Sequence, residues 1–262
     1  MATSHLLALR RSVTLLAIFA IIVLVQGPLR IIGFRSGYRL GHTWHKLCRW
    51  AIGMEVRYHG SISLESPTFF VANHTSYLDI PALGSLIDAT FIAKSEIKNW
   101  PMFGLLCSLQ RTIFIDRDWR KALVQRKQLY KRLDDGDSLI LFPEGTSNNG
   151  TFTRQFKSAL FSAADWNLNG SGLAVQPITI AYTRLNGIAM GRRLRPLFAW
   201  YGDMVMFNHF WTLLGSGSLG VDIIFHPPVR FRSFASRKEL SEHCEQKVSN
   251  GLSDALRHGR SA

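Results

Sequence analysis

The sequence is short of acidic residues: 18 Asp and Glu face 31 Lys and Arg in 262 residues, a formal charge of +13. That imbalance excludes a cationic partner and favours an anionic one, either nucleic acid or an anionic membrane surface. Charges of both signs make up only 19% of the chain against 47% apolar residues, which excludes intrinsic disorder. Cysteine is scarce as well. Cys48, Cys107 and Cys244 lie far apart without metal-ligand spacing; an odd, scattered set argues against a disulfide framework and suits a reducing compartment. Each reads as a small buried hydrophobe. No internal repeat or low-complexity linker interrupts the chain, so its length fits one core domain with an appendage. There is no G-x-S-x-G nucleophile elbow, which counts against a serine hydrolase.

What the chain does have begins at its N-terminus. Ser12 to Val25 is a nearly continuous apolar run, preceded by Arg10 and Arg11 and followed by Gln26-Gly27-Pro28. A perpendicular span needs about 20 apolar residues, so the run is marginal for crossing. No small-x-small cleavage site follows it, which counts against a signal peptide. The next stretch mixes apolar residues with Arg30, Arg35, Arg39, Lys46 and Arg49, as an interfacial helix does. Residues 1–53 are therefore expected to form a membrane-associating helical pair, with Pro28 marking the turn between its members. The hydrophobic N-terminus decides between the two anionic partners: a lipid bilayer is expected and nucleic acid is not. With the cysteines in a reducing compartment, the expected location is the inner, cytoplasmic face of a membrane.

From Met54 to the C-terminus, residues 54–262, short apolar strands alternate with helical patterns. Strands are expected at Thr68 to Ala72, Ala89 to Ala93, Thr112 to Ile115, Ser138 to Phe142, Ala174 to Tyr182 and Val221 to Phe225. Helices are expected near Tyr77 to Leu86, Trp119 to Leu133 and Thr153 to Trp166. This alternation specifies an α/β fold, a layered αβα domain around a mostly parallel sheet. Ser236 and Glu239 form a capping box ahead of a last helix whose apolar face is Leu240, Cys244, Val248, Leu252 and Leu256. Gly215-Ser216-Gly217-Ser218-Leu219-Gly220 fits a nucleotide fingerprint but precedes a strand, so it is read as a loop. His42 and His45 are read as solvated, and His209 and His226 as lacking partners at ligand spacing.

Four short blocks carry chemistry. His74 and Asp79, in Asn73-His74-Thr75-Ser76-Tyr77-Leu78-Asp79, follow the first of those strands. A strand-to-helix turn there brings a carboxylate against one imidazole nitrogen and leaves the other to accept a proton, the base-and-orienter pair of a triad without its serine. Phe142-Pro143-Glu144-Gly145-Thr146 ends another strand, because Pro143 cannot continue a central one. Both blocks then sit at strand carboxyl ends, where open α/β sheets bind ligands. In Arg111 to Asp118, a basic residue at a strand end, Arg117, suits an anionic head group or, with Asp116, a surface salt-bridge network. Val175-Gln176-Pro177-Ile178 is a strand whose proline marks an edge or a bulge.

In this order, the blocks resemble those of the glycerolipid acyltransferase family, the lysophosphatidate acyltransferases in particular, over Met54 to Phe225. His74 and Asp79 match its H-x4-D motif, Ile113 to Arg117 its second block, Phe142 to Thr146 its F-P-E-G-T block and Val175 to Ile178 its fourth. The resemblance implies an O-acyltransferase that moves a fatty acyl group from acyl-CoA or acyl-carrier protein, a co-substrate, to a lysolipid hydroxyl, with no metal or redox cofactor. His74 is the implied base and Asp79 its orienter; Arg117, Glu144, Gly145 and Thr146 shape the acceptor site, with backbone donors near Gly145 and Thr146 holding developing charge. The expected acceptor is the sn-2 hydroxyl of lysophosphatidate. Two departures bear on that choice: Ser147 stands where the family often has Arg, and Arg111 where it often has Gly. Arg154 or Lys157 could supply the missing cation, or the acceptor could lack a phosphate, as lyso-ornithine lipid does.

Overall fold

Strand β2, Thr68–Ala72, is buried at all five positions. Phe70 and Ala72 enter one core cluster and Phe69 and Val71 another. A strand covered on both faces reads as an unbroken apolar run, which is why its limits were legible. The computed structural model describes residues 3–31, 37–100, 102–116, 118–167 and 172–258. Around β2 lie β1 (Met54–His59), β3 (Thr90–Lys94), β4 (Ile113–Ile115), β5 (Leu139–Leu141), β6 (Ala174–Leu185) and β8 (Leu219–Phe225), in the order β1-β8-β6-β2-β5-β3-β4. Only the β6–β8 pairing along this path is antiparallel. Two short strands, β7 (Ile188–Ala189) and β9 (Val229–Arg230), pair antiparallel with β6.

One face of the sheet is covered by α5 (Ala122–Asp134) and α7 (Arg237–His258), through Leu129, Leu133, Leu240, Cys244 and Val248. The other carries α3 (Asp79–Gly84) and α6 (Met206–Leu214), through Leu83, Leu213 and Leu214. The capping box ahead of α7 forms: Glu239 N–H donates to Ser236 Oγ at 3.2 Å, and Ala235 N–H to Glu239 Oε2 at 2.7 Å.

The N-terminal helices pack against this domain. Helix α1, His5–Ile31, is long and apolar enough to cross a membrane. Its outer stripe is Leu6, Leu9, Val13, Leu16, Ile21 and Leu24, all exposed. Its N-terminal half is tied to the end of α6, where Arg11 donates to the Leu214 and Gly217 carbonyls at 2.9 and 2.7 Å. Ile18 and Ile22 meet Trp44 and Cys48 of α2 (Gly37–Ile52) and Leu109 of α4 (Phe103–Leu109).

Several expectations are corrected. Pro28 does not mark the turn: it lies inside α1, which continues to Ile31. Lacking an N–H, Pro28 forfeits the bond to the Leu24 carbonyl, one rung in the last turn. Thr153 to Trp166 is not a helix; only a 3-10 turn, Ser158–Phe161, forms there. Its backbone donors are committed elsewhere, Phe156 N–H to Glu245 Oε2 at 2.8 Å and Lys157 N–H to the Pro143 carbonyl at 3.0 Å. Pro177 is neither at an edge nor at the bulge, which falls between Tyr182 and Arg184. It sits in an inner strand, in the gap where β6 changes partner from β9 (Val175) to β8 (Ile178), so its missing N–H costs no ladder bond. His45 is buried against Gly84 rather than solvated: a β-carbon at Gly84 would lie 2.2 Å from its ring. Burial pushes its pKa down to about 3, so it packs as a neutral ring.

Candidate active site

Parallel neighbours deliver their following loops to the same edge of a sheet. Strand β2 pairs with β5 through Phe69–Leu139, Phe70–Ile140 and Val71–Leu141. The loops after them, carrying His74 and Glu144, therefore meet although 70 residues separate them. Asn73 fixes where β2 ends: its side chain pairs with the Ile180 backbone of β6, accepting from N–H at 2.8 Å and donating to C=O at 2.9 Å. The chain then turns into α3, whose first residue is Asp79.

That turn closes on the Asp79 carboxylate, which is fully buried. Oδ2 accepts from Thr75 N–H at 2.7 Å, from Ser76 N–H at 3.0 Å and from His74 Nδ1–H at 2.8 Å. Oδ1 accepts from the Tyr182 hydroxyl at 2.6 Å. With acceptors only on the carboxylate, the imidazole proton is fixed on Nδ1 and Nε2 keeps its lone pair. The ring stacks on Phe142, centroids 4.3 Å apart and 18° from parallel, while its side chain stays 22% exposed. An imidazole is thus oriented on one side, braced on its face and partly exposed.

Glu144 is buried beneath it. Oε1 accepts from His74 N–H at 2.9 Å, Oε2 from Asn148 Nδ2–H at 2.7 Å, and Arg154 donates a backbone N–H to the same carboxylate. Burial raises its pKa to about 7 against the pull of those donors. Asn148 N–H returns to the His74 carbonyl at 3.1 Å, so the two loops are bound in both directions. Gly145 has φ +69°, and a β-carbon there would come within 3.0 Å of Lys157 Nζ.

Comparison with known proteins places the chain that carries this constellation. The Acyltransferase family profile matches residues 55–181. The lyso-ornithine lipid O-acyltransferase of Rhizobium meliloti is 40% identical over 226 residues, 85% of this chain and 77% of that one. The chain belongs to the acyltransferase family. The 1-acyl-sn-glycerol-3-phosphate acyltransferase of Neisseria gonorrhoeae is 28% identical over 206 residues, 78% of this chain and 76% of its own. In fold, the chain is similar to the crystal structure of the 1-acyl-sn-glycerophosphate acyltransferase from Thermotoga maritima, with a TM-score of 0.63 over 93% of this chain and 95% of that one, at 23% identity.

Of the residues singled out in this acyltransferase, the fold brings His74, Asp79, Glu144 and Gly145 together, with Lys157 beside Gly145. Thr146 is exposed at the same loop, and the Arg154 side chain is exposed, its backbone alone reaching Glu144. Arg117 lies outside the described residues. The Gly145 N–H is taken by the Phe142 carbonyl at 3.2 Å, so it is not a donor held ready for developing charge. Sequence reasoning missed Tyr182 and Asn148. Tyr182 lies in a strand buried at all twelve positions, where nothing in the pattern marks the hydroxyl that reaches Asp79. Asn148 had a signal, an amide following F-P-E-G-T, but one that any Gly- and Asn-rich turn shares.

Proposed function

We propose that this acyltransferase transfers a fatty acyl group from a CoA or acyl-carrier-protein thioester to the hydroxyl of lyso-ornithine lipid, at a membrane that α1 anchors. The observation that carries the chemistry is the His74–Asp79–Tyr182 relay. His74 Nε2 takes the acceptor O–H proton as that oxygen attacks the thioester carbonyl. The C–S bond then breaks, the imidazolium returns the proton to the departing thiolate, and an ester and a free thiol leave without an acyl-enzyme. Asp79 holds the tautomer and balances the transient positive charge. Glu144 acts as a brace, fixing the His74 backbone with bonds that leave its carboxylate engaged by protein donors.

The acceptor follows from similarity and from one side chain. The relative named for lyso-ornithine lipid stands at 40% identity against 28% for the one named for the glycerol phosphate, which reverses the order that the motifs alone suggest. Ser147, at the position where the family often carries Arg, is buried with its hydroxyl donating to the Trp200 carbonyl. A guanidinium at this position would have to give up that contact. Lys157, beside Gly145, leaves a second reading, lysophosphatidate, in place, since an ammonium suits a phosphate as well as the carboxylate of an ornithine head group. Membranes carrying the protein, given labelled thioester of each kind with each acceptor, decide between them. Product from lyso-ornithine lipid, lost in His74→Ala, is expected. Product from lysophosphatidate alone would overturn the acceptor, and full turnover in His74→Ala would overturn the mechanism.

A further inference from the structure

An apolar surface continues from α1 across two other elements to the mouth of the site. Helix α6 presents Phe207 at 71% exposure and the residue before its first turn, Val205, at 64%. Phe207 stacks on Trp211 with centroids 6.5 Å apart. Trp211 in turn meets His5 of α1 at 6.3 Å and donates Nε1–H to its Nδ1 at 3.1 Å. On the other flank, α4 exposes Leu105, and Trp100 just before it packs edge-on to Trp200 at 5.9 Å. Trp200 belongs to the catalytic edge: its N–H donates to the Thr75 carbonyl at 3.0 Å, and its own carbonyl accepts from Ser147.

Single exposed hydrophobes need no explanation, but a contiguous patch of this kind is rare on a protein that faces water on all sides. Three observations name its occupant. The patch is continuous with the outer stripe of α1, a helix with the length and composition of a membrane segment. Its margin nearest the site is aromatic, Trp100, Trp200 and the half-exposed Tyr201, the residue types that settle at the hydrocarbon–water boundary. The chain as a whole carries +13, suited to anionic head groups.

We propose that the 200–207 segment and α6 form a second bilayer-inserting element: a wedge, tipped by Val205 and Phe207, that sinks into the leaflet holding α1. Because Trp200 is bonded to the turn carrying His74, insertion sets the imidazole at head-group depth, where a lysolipid presents its hydroxyl without leaving the bilayer. This use of the wedge rests on the lysolipid reading above; the insertion itself does not.

Insertion is tested in the full chain carrying Cys107→Ser, with a spin label at Phe207→Cys or, as control, at Leu64→Cys. Leu64 is 99% exposed and precedes β2, at the end of the sheet away from the site. In phosphatidylglycerol–phosphatidylcholine vesicles, the label at 207 is expected to be reached by oxygen and shielded from a water-soluble nickel complex. The label at 64 is expected to show the reverse. Equal nickel access at both positions overturns the proposal, whatever the enzyme acylates. The functional consequence is read separately in Val205→Asp/Phe207→Asp. Its rate with long-chain acceptor in vesicles should fall roughly tenfold or more, while its rate with a short-chain acceptor below its critical micelle concentration stays unchanged. Equal losses with both acceptors would overturn the positioning role.

Discussion

Replacing Asp79 by Asn separates the two services of this carboxylate, because the surrounding donors dictate how an amide must sit. Thr75 N–H, Ser76 N–H and His74 Nδ1–H all point at Oδ2. An amide nitrogen there would face two fixed N–H groups and forfeit their bonds, at about 1–3 kcal/mol each. In Asp79→Asn the amide therefore places its oxygen where Oδ2 was and its NH2 toward Tyr182, whose hydroxyl can turn from donor to acceptor. The His74 tautomer survives and only the charge is lost. At an effective dielectric of about 20 and charge centres about 4 Å apart, the attraction between imidazolium and carboxylate is worth about 4 kcal/mol. That corresponds to a fall of roughly 10³ in kcat, with KM little changed and the protein folded by circular dichroism. Tyr182→Phe in the native background should lower stability by about 1.5–3 kcal/mol, the worth of a bond to a charged acceptor, and cost less in kcat than Asp79→Asn, since the bond is already made in the ground state. Added to Asp79→Asn, it strands a buried NH2 and should lower Tm further. A kcat within tenfold of the native value in Asp79→Asn would show that no imidazolium forms beside this residue, and the base mechanism would fail.

Two further substitutions address the neighbouring loop. Glu144 has a folded pKa raised from 4.5 to about 7, so the native state holds a proton that the unfolded chain releases. Its contribution to stability is complete below about pH 4.5 and declines as pH rises to about 7, by about 3 kcal/mol in total. Glu144→Gln lacks this decline, so its stability relative to the native protein should rise by that amount between pH 4.5 and 7 and level off above, in urea melts across that range. A pH-independent difference would refute the assignment. Ser147→Arg should destabilise the fold by about 3 kcal/mol, since it buries a guanidinium against a single carbonyl, and should not raise turnover of lysophosphatidate. A stable variant with such a gain would restore the phosphate reading.

How legible each part was depended on whether one local rule decided it. Strand β2 was read to the residue because burial on both faces left no polar alternation to blur its ends. The His74–Asp79 contact was legible because a turn five residues long leaves a carboxylate few places to go. Strand β1 was not read as an element although Met-Glu-Val-Arg-Tyr-His alternates apolar and polar side chains: it lies at the sheet edge with most of its residues partly or fully exposed, and six residues carry only a short alternating signal. His45 was misread because a basic, amphipathic helix looks alike whether its polar stripe meets water or, as here, a glycine that leaves space for a ring.

The two departures from the family's blocks, both visible in the sequence, acquire their meaning only from backbone conformation and burial. Arg111 has φ +58°, in the left-handed region where glycine is the unstrained choice. The family's usual Gly therefore reflects a constraint on the chain rather than on the ligand. Here the cost of a side chain is offset by an ion pair, Arg111 Nη2 to Asp137 Oδ2 at 3.2 Å. Ser147 is the opposite case. Nothing in its backbone conformation demands serine, but its hydroxyl ties the F-P-E-G-T loop to Trp200, and Trp200 ties the turn carrying His74 to the aromatic margin of the molecule. The position that would carry a phosphate-binding arginine is here given over to coupling the catalytic edge to the surface proposed to enter the bilayer. The first departure is a matter of chain conformation; the second ties the F-P-E-G-T loop to the aromatic margin of the molecule.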